Sequence, residues 1–283
     1  MRVLVTGSHG LLGTAIVDLF ASIGHDVVPL NRTQLDIADS RAVRRAVTDA
    51  TPDVVINCAA YNDVDAAEDH AVSALQVNAL GVRALGAAAR EVDAVFVHYG
   101  TDFVFDGTAT RPYTEEDAPA PQSVYGASKL LGEWFATDVR RHYVLRVESL
   151  FGPHAAGRPT RRGSLGTIVD SIRGSGDVPV FVDRTVSPTL TLDVARATAR
   201  LLEMGAPAGL YHCVNEGAAT WFDVAEEVAR VLGRKFRPTP LTLETVRMKA
   251  RRPKFCAMSP ARLASVGVAM PTWQDALARY LQA

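Results

Sequence analysis

Short apolar runs alternate with longer amphipathic segments through the first half of the chain. The runs are residues 2–6, 27–30, 54–57, 94–98 and 143–147. Residues 11–23, residues 71–90 and the segment that carries Tyr125 show helical periodicity, and Gly24 is placed to end the first helix. Continuous apolar strands between helices are typical of a parallel sheet covered on both faces. The pattern therefore predicts a doubly wound α/β fold.

The composition and the apolar pattern of the sequence change after Phe151-Gly152-Pro153. Residues 154–164 are polar and rich in Gly and Arg, which predicts a mobile loop over a site. The remainder mixes short apolar runs (178–182, 210–214) with helical patterns (192–204, 221–232, 273–281). We expect residues 1–152 to form the main domain. Residues 153–283 should form a smaller α/β substrate lobe that partly returns to it.

Composition narrows the class of protein. With 283 residues, 48% of them hydrophobic, and a formal charge of -1, the chain fits an enzyme with a large core. The near-zero charge gives no electrostatic reason to expect a nucleic acid or membrane partner. The sequence contains no continuous apolar run of about eighteen residues, the length that a membrane-spanning helix needs. Cys58, Cys213 and Cys256 are widely spaced, which is typical of reduced thiols. The first predicted strand already begins at residue 2, where a secretory signal peptide would lie. We therefore expect a cytoplasmic protein with reduced thiols.

A glycine-rich turn, Thr6-Gly7-Ser8-His9-Gly10-Leu11-Leu12-Gly13, directly follows the first predicted strand. A strand before and a helix after is the context in which such a turn binds a dinucleotide. Glycine lets the backbone approach the pyrophosphate, whose charge meets the helix N-terminus. We predict cofactor contacts at Gly7, His9, Gly10, Leu11, Leu12 and Gly13.

The second predicted strand ends in Asn31-Arg32, where NAD-specific sites carry an acid for the ribose 2′-hydroxyl. The planar guanidinium of Arg32 can bind a 2′-phosphate through two hydrogen bonds, although it can also stack on adenine or face solvent. The sequence thus favours NADP(H) over NAD(H). We expect further cofactor contacts at Asn31, Arg32, Asp36, Ile37, Cys58, Ala59, Ala60 and Tyr61.

Tyr125 and Lys129 are four residues apart in Ser123-Val124-Tyr125-Gly126-Ala127-Ser128-Lys129. On a helix this spacing places both side chains on one face. A neighbouring cation favours the phenolate and lowers the pKa of a tyrosine. A phenol tuned in this way is a general acid–base that gives a proton to a carbonyl oxygen. Together with a dinucleotide site, the pair indicates hydride chemistry on a carbonyl or alcohol.

The chain as a whole resembles the extended short-chain dehydrogenase/reductases, and among them most closely the dTDP-4-dehydrorhamnose reductase family. The likeness runs nearly end to end. Beyond the glycine turn it includes Asn57–Tyr61, Val64–Glu68, Asn78–Gly81, Thr101–Gly107 and Tyr125–Lys129, with looser matches at 187–189, 209–212, 252–253 and 271–273.

This resemblance implies a Rossmann fold and NADPH-dependent reduction of the 4-keto group of a nucleotide-linked deoxysugar. We expect the protein to form a homodimer. Tyr125 would protonate the keto oxygen, Lys129 would bind the nicotinamide ribose, and Thr101 would hydrogen-bond the substrate oxygen. The resemblance also places Asn78 at the cofactor. Substrate contacts are implied at Val64, Asp65, Thr101, Asp102, Phe103, Glu148, Leu150 and Ser187.

Several positions depart from related patterns. Phe103 stands where sugar-nucleotide 4,6-dehydratases carry a glutamate, which disfavours dehydration. Gly100 replaces the usual serine before Thr101. Residues 148–152 replace a stretch that often holds a sugar-contacting tryptophan, and Glu148 puts an acid near the pocket. Ala15 replaces a metal-linked glutamate, and the seven histidines are dispersed, so we predict no metal.

Two alternative functions stay open on the sequence. Nucleotide-sugar epimerases of the same superfamily use the same tyrosine and lysine with a retained NAD. Regulatory beta-type subunits of methionine adenosyltransferase share the fold and bind NADP without known sugar turnover.

Overall fold

The computed structural model describes residues 1–153, 163–174 and 176–282, so most of the predicted loop at 154–164 lies outside the described residues. Its strands are β1 (Arg2–Thr6), β2 (Asp26–Leu30), β3 (Val54–Asn57), β4 (Val95–Thr101), β5 (His142–Val147), β6 (Leu150–Phe151), β7 (Asp177–Phe181), β8 (Thr185–Val186), β9 (Thr189–Leu190), β10 (Gly209–His212), β11 (Ala219–Thr220) and β12 (Arg237–Leu241).

Helices cover much of the rest of the described chain. The α-helices are α1 (Leu11–Ser22), α2 (Ser40–Ala50), α3 (Val64–Asp69), α4 (Ala71–Leu75), α5 (Val82–Glu91), α6 (Val124–Ala136), α7 (Ser164–Arg173), α8 (Thr191–Met204), α9 (Trp221–Leu232), α10 (Ala261–Ser265) and α11 (Trp273–Gln282). A π-helical segment, Gln76–Gly81, joins α4 to α5, and Asp102–Val104 is a 3₁₀ turn.

The central sheet has six strands in the order β10-β5-β4-β3-β1-β2, and every neighbouring pair is parallel. From β1 the chain goes to β2 on one side and then to β3 on the other. The strand order therefore reverses beside β1, and in such sheets ligands bind at the carboxyl ends of the strands next to this reversal. The parallel α/β fold predicted from the apolar runs is confirmed.

Both faces of the sheet are covered by helices. Val3 and Val5 of β1 join a buried cluster with residues of α1 and α8. Leu4, which points to the opposite face, joins a second cluster with α2 and α5. Successive strand side chains alternate between faces, so one short apolar run supplies both cores. This explains why these strands read as continuous apolar runs.

A third core lies in the C-terminal half and combines α7, β7, α9 and α11. Trp221 and Trp273, at the starts of two of these helices, are each 5% exposed and pack in this core. The C-terminal half also gives β10 to the edge of the main sheet, and α8 to one of its faces. A domain boundary at residue 152 stays a prediction.

The helical run Ala71–Glu91 is long and apolar enough to cross a membrane by length and composition alone. Within the fold it is a core helix, because Val82, Leu85 and Ala88 are buried against the sheet.

Candidate active site

The loops after β1 and β3 meet at the reversal of strand order. Gly7 has φ +64°, and a Cβ there would lie 2.6 Å from the backbone nitrogen of Ala59, so both conformation and space require glycine. Thr6 Oγ1 donates to Asn57 Oδ1 at 2.7 Å, and the same oxygen accepts from the N–H of Ala59 at 3.1 Å. These bonds fix the mouth of a groove between the two strands.

The N-terminus of α1 opens into this groove. Gly10 caps the helix without a side-chain hydrogen bond, and the first turn carries no acidic residue. The hydroxyl of Ser8 is buried and lacks a hydrogen-bond partner among the described residues. Free N–H groups and the helix dipole favour a bound anion at such a position. The turn therefore fits the pyrophosphate of a dinucleotide.

A pocket extends from this turn along the carboxyl edge of the sheet. Leu35, Asn62 and Val77 line it without having been singled out from the sequence, since only the folded chain brings them beside the glycine turn. The pocket also brings together most of the predicted cofactor residues: Gly7, His9, Gly10, Asn31, Arg32, Asp36, Ile37, Cys58, Ala59, Ala60 and Tyr61.

The remaining predicted cofactor residues do not line the pocket. Leu11, Leu12 and Gly13 form the first turn of α1, with Leu12 buried in the core. The amide of Asn78 accepts from the N–H of Tyr61 at 2.8 Å and donates to its carbonyl at 3.1 Å and to Ser128 Oγ at 3.0 Å. Asn78 thus holds the pocket wall against α6, and a direct cofactor contact from it stays a prediction.

Thr101, at the end of β4, and Tyr125, in the first turn of α6, meet side by side. The hydroxyl of Thr101 acts on the pKa of the Tyr125 phenol, and both residues are buried. The ring of Phe103 stands edge-on to Tyr125, with centroids 5.4 Å apart, and Val64 and Tyr61 pack around the same phenol. Tyr61 also lines the dinucleotide pocket, so the phenol and the pocket share a wall.

Lys129 lies one helical turn beyond Tyr125, and its Nζ donates to the carbonyl oxygen of Tyr99 at 2.5 Å. Burial lowers the pKa of Lys129 to about 8, opposed by the charges of Glu133 and Cys58. Burial raises the pKa of the Cys58 thiol, a group of the dinucleotide pocket, and the charge of Lys129 opposes that rise. The amine therefore acts on a residue that lines the cofactor groove.

The direction predicted for the pKa of Tyr125 is wrong for this structure. Burial raises this pKa above its usual value, the neighbouring Thr101 hydroxyl acts in the opposite sense, and the charge of Asp102 raises the pKa further. The spacing of Tyr125 and Lys129 shows their shared helix face, but it does not show how deeply the phenol is buried. The phenol is accordingly protonated at neutral pH.

Gly100 is required by a buried ion pair. A Cβ at this position would overlap Glu133 Oε1, which accepts from Arg146 Nε at 3.1 Å. The other oxygen, Oε2, binds Arg146 Nη2 at 2.8 Å, and both charged side chains are at most 5% exposed. The departure from serine at Gly100 therefore has a packing cause. The sequence did not predict this ion pair, because Glu133 lies on α6 and Arg146 on β5, and the two side chains meet only in the folded chain.

Asp65 does not face the pocket. Its carboxylate accepts from the guanidinium of Arg252 at 2.8 and 3.1 Å, and from the N–H groups of Lys249 and Ala250. These contacts tie α3 to the C-terminal segment, and they oppose the effect of burial, so the pKa of Asp65 is lowered. A substrate contact from Asp65 stays a prediction.

The other predicted substrate residues lie near the ends of β4 and β5. Asp102 and Glu148 are buried close to each other, and Glu148 Oε2 accepts from the N–H of Ser187 at 2.8 Å. Leu150 starts β6 and is paired with Thr189 of β9. Their roles as substrate contacts, and the expectation of no metal, stay predictions.

The fold and this site define a class: a doubly wound dinucleotide-binding protein with a Thr, Tyr and Lys set at the carboxyl edge of its sheet. The family model of the RmlD substrate binding domain matches residues 1–283. The chain is 38% identical to a dTDP-4-dehydrorhamnose reductase of Streptomyces griseus, over 98% of this chain and 91% of that protein. The chain belongs to the dTDP-4-dehydrorhamnose reductase family, as its motifs indicated.

Solved structures of the same family agree. A dTDP-4-dehydrorhamnose reductase from Clostridium acetobutylicum superposes with a TM-score of 0.91 at 33% identity, over 100% of this chain and 99% of that one. The dTDP-4-dehydrorhamnose reductase of Bacillus anthracis, crystallised in complex with NADP, gives 0.92 at 30% identity, over 99% and 98%.

Proposed function

We propose that this protein reduces the 4-keto group of a nucleotide-linked deoxysugar, with NADPH as the hydride donor. The observation that carries the proposal is the buried pair of Thr101 and Tyr125, whose phenol packs against Tyr61 of the dinucleotide pocket. The names of the relatives point to the same substrate class, a dTDP-linked 4-keto sugar.

Tyr125 is the general acid of this proposal. A bound nicotinamide dinucleotide would supply the hydride to the keto carbon. Tyr125 gives its proton to the keto oxygen, so the carbonyl becomes an alcohol and the phenol becomes a phenolate. The raised pKa suits this direction, because the phenol carries its proton at neutral pH. Phe103, Val64 and Tyr61 keep water away from the transfer.

Lys129 and Thr101 assist the same transfer. Below a pH of about 8, where its pKa lies, Lys129 is charged and stabilises the phenolate that forms beside it. Thr101, through its hydroxyl, donates a hydrogen bond to the developing negative charge on the substrate oxygen. Neither residue needs to form a covalent bond with the substrate.

The preference for NADPH rests on Arg32. This residue is exposed on the rim of the pocket, next to Asn31 and Asp36. A guanidinium at this position binds a 2′-phosphate by two parallel hydrogen bonds. An unmodified ribose offers it no comparable partner.

Replacing the proposed acid separates binding from chemistry. In Tyr125→Phe, NADPH affinity should stay within about twofold of the wild type, while kcat on a 4-keto nucleotide sugar falls on the order of a hundredfold or more. Fluorescence titration gives the affinity, and NADPH oxidation gives kcat. Tyr280→Phe, at a partly buried position packed against the core of the C-terminal half, is the matched control and should turn over normally. Wild-type turnover by Tyr125→Phe would refute the assignment.

A further inference from the structure

Three buried polar side chains form a row across the central sheet beside the cofactor groove. Thr6, Asn57 and His98 are register partners on the adjacent strands β1, β3 and β4, and each is 1% exposed. Two residues earlier, the same strands place apolar side chains on this face: Leu4, Val55 and Phe96. A polar row within an apolar core is favourable only if its members form hydrogen bonds.

The hydrogen bonds of the row fix the orientation of the Asn57 amide. Thr6 Oγ1 donates to Asn57 Oδ1 at 2.7 Å, and the N–H of Ala59 donates to the same oxygen at 3.1 Å. Since a backbone N–H can only donate, the amide atom that faces it is the oxygen. The amide nitrogen therefore faces His98, and its distance to the ring Nδ1 is 3.1 Å. Because Asn57 Nδ2 donates, His98 Nδ1 must accept, which leaves the ring proton on Nε2.

The other ring nitrogen of His98 shows that Nδ1 is the functional atom. His98 Nε2 is buried and has no hydrogen-bond partner among the described residues. Burial and the charge of Lys129 lower the pKa of His98 well below its usual value, so the ring is neutral. A leucine would fill this part of the core without a buried, unpaired N–H, which is costly. The histidine is thus explained by the acceptor that it offers to Asn57.

Asn57 in turn holds one wall of the cofactor groove. Ala59, whose N–H it binds, lines the dinucleotide pocket and packs against the glycine turn, where a Cβ at Gly7 would lie 2.6 Å from the Ala59 nitrogen. Without an acceptor at His98, the amide nitrogen of Asn57 would be buried and unpaired. Rotation of the amide to pair this nitrogen elsewhere would break the bonds to Thr6 and Ala59. The shape of the groove therefore depends on His98.

We propose that His98 is a positioning residue of the cofactor site: its Nδ1 fixes the amide of Asn57, and this amide holds the loop after β3 against the glycine turn. The groove is then shaped before the dinucleotide arrives, so that binding does not have to order the loop. His98 does not line the pocket and acts through Asn57. The inference rests on the dinucleotide-binding part of the proposed function and not on the reduction of a sugar.

NMR of ¹⁵N-labelled histidine rings tests the hydrogen bond without cofactor or substrate. The ring signals of His98 are assigned through the backbone of the folded wild type. At neutral pH we expect an uncharged ring that carries its proton on Nε2 and accepts at Nδ1. A proton on Nδ1 at neutral pH would overturn the inference, whether or not any variant folds.

The affinity for NADPH tests the positioning role, and fluorescence titration measures it. His98→Leu removes the acceptor, so the Kd for NADPH should rise about tenfold or more. In His98→Asn the side-chain oxygen can take the place of Nδ1, and the Kd should stay within about twofold of the wild type. Equal losses of affinity in the two variants would contradict a role for the acceptor.

Val97→Ala is the matched control for lost packing. Val97 is buried in the same strand, but its side chain points to the opposite face of the sheet, into the cluster with α1 and α8. This variant should be less stable in urea denaturation and should keep the wild-type Kd for NADPH. Wild-type affinity in His98→Leu, or an equal loss of affinity in Val97→Ala, would refute the positioning role.

The inference and the proposed function fail in different ways. The expected ring proton and the expected loss of NADPH affinity in His98→Leu, without reduction of any 4-keto sugar by the wild type, would support the inference and contradict the proposed function. Reduction of such a sugar by the wild type, together with wild-type NADPH affinity in His98→Leu, would contradict the inference alone.

Discussion

Arg146 and Glu133 show how the site depends on individual buried side chains. The guanidinium of Arg146 lies over the ring of Phe105 at 5.0 Å and binds Glu133, whose charge opposes the lowering of the pKa of Lys129. A buried pair of this kind is costly to break, since either partner alone is an uncompensated charge. Glu133, held in place by Arg146, thus helps to keep the active-site amine charged.

Arg32 is the residue at which cofactor preference is tested. Arg32→Ala should raise the KM for NADPH about tenfold or more, because the charge-assisted bonds to the 2′-phosphate are lost. The KM for NADH should change little, since NADH carries no phosphate at that position.

Steady-state kinetics with both cofactors measures this preference. Arg41→Ala, on the exposed start of α2, serves as the control and should leave both constants unchanged. An equal effect of Arg32→Ala on NADPH and NADH would contradict a phosphate-binding role.

Among the elements, α6 organises the catalytic edge. Ser123 caps its N-terminus by accepting from the N–H of Gly126 at 3.1 Å. A Cβ at Gly126 would overlap the carbonyl oxygen of Phe103, so glycine lets the helix approach the end of β4 closely. Tyr125, Lys129 and Glu133 then follow at intervals of four residues on one face. The first two were predicted from this spacing, and the third shows its role only beside Arg146.

The strand β10 ties the C-terminal half of the chain to the site through His212. Its Nδ1 contacts the carbonyl of Tyr113 at 3.1 Å, and Arg146 Nη1 lies 3.5 Å from its Nε2. Burial and the charge of Arg146 lower the pKa of His212 to about 3. The folded state therefore keeps the ring neutral at a pH where the unfolded chain, with a pKa of about 6.5, binds a proton.

This difference predicts an acid-sensitive stability. Below a pH of about 6.5 the unfolded state binds one more proton at His212 than the native state, so the free energy of unfolding falls as pH falls. The loss is at most about 1.4 kcal/mol per pH unit, down to a pH of about 3. His212→Gln should remove this part of the slope.

Urea denaturation at a series of pH values measures the slope. His70→Gln, at an exposed position, is the control and should follow the wild type. A His212→Gln slope equal to that of the wild type would show that His212 does not titrate in this way.

For the whole molecule, the parts that could be predicted from the sequence are local. The apolar runs predicted the strands of the main sheet up to β5, and the glycine-rich turn predicted the cofactor groove. Both features are determined by residues that are adjacent in the sequence. The sequence did not predict the strands β6, β8, β9 and β11, since each has only two residues. The closeness of Asp102 and Glu148 was not predicted, because only the folded chain brings these two residues together. Likewise, the raised pKa of Tyr125 follows from burial, which motif spacing does not encode.

Transfer of a labelled hydride tests the central claim most directly. The protein is incubated with NADPH that carries deuterium at C4 of the nicotinamide, on the transferred face, and with a panel of dTDP- and other nucleotide-linked 4-keto deoxysugars. Mass spectrometry and NMR then locate the label. We predict deuterium on ring carbon 4 of a reduced sugar nucleotide, with loss of the label in Tyr125→Phe. NADPH binding without transfer to any member of the panel would contradict the reductase account.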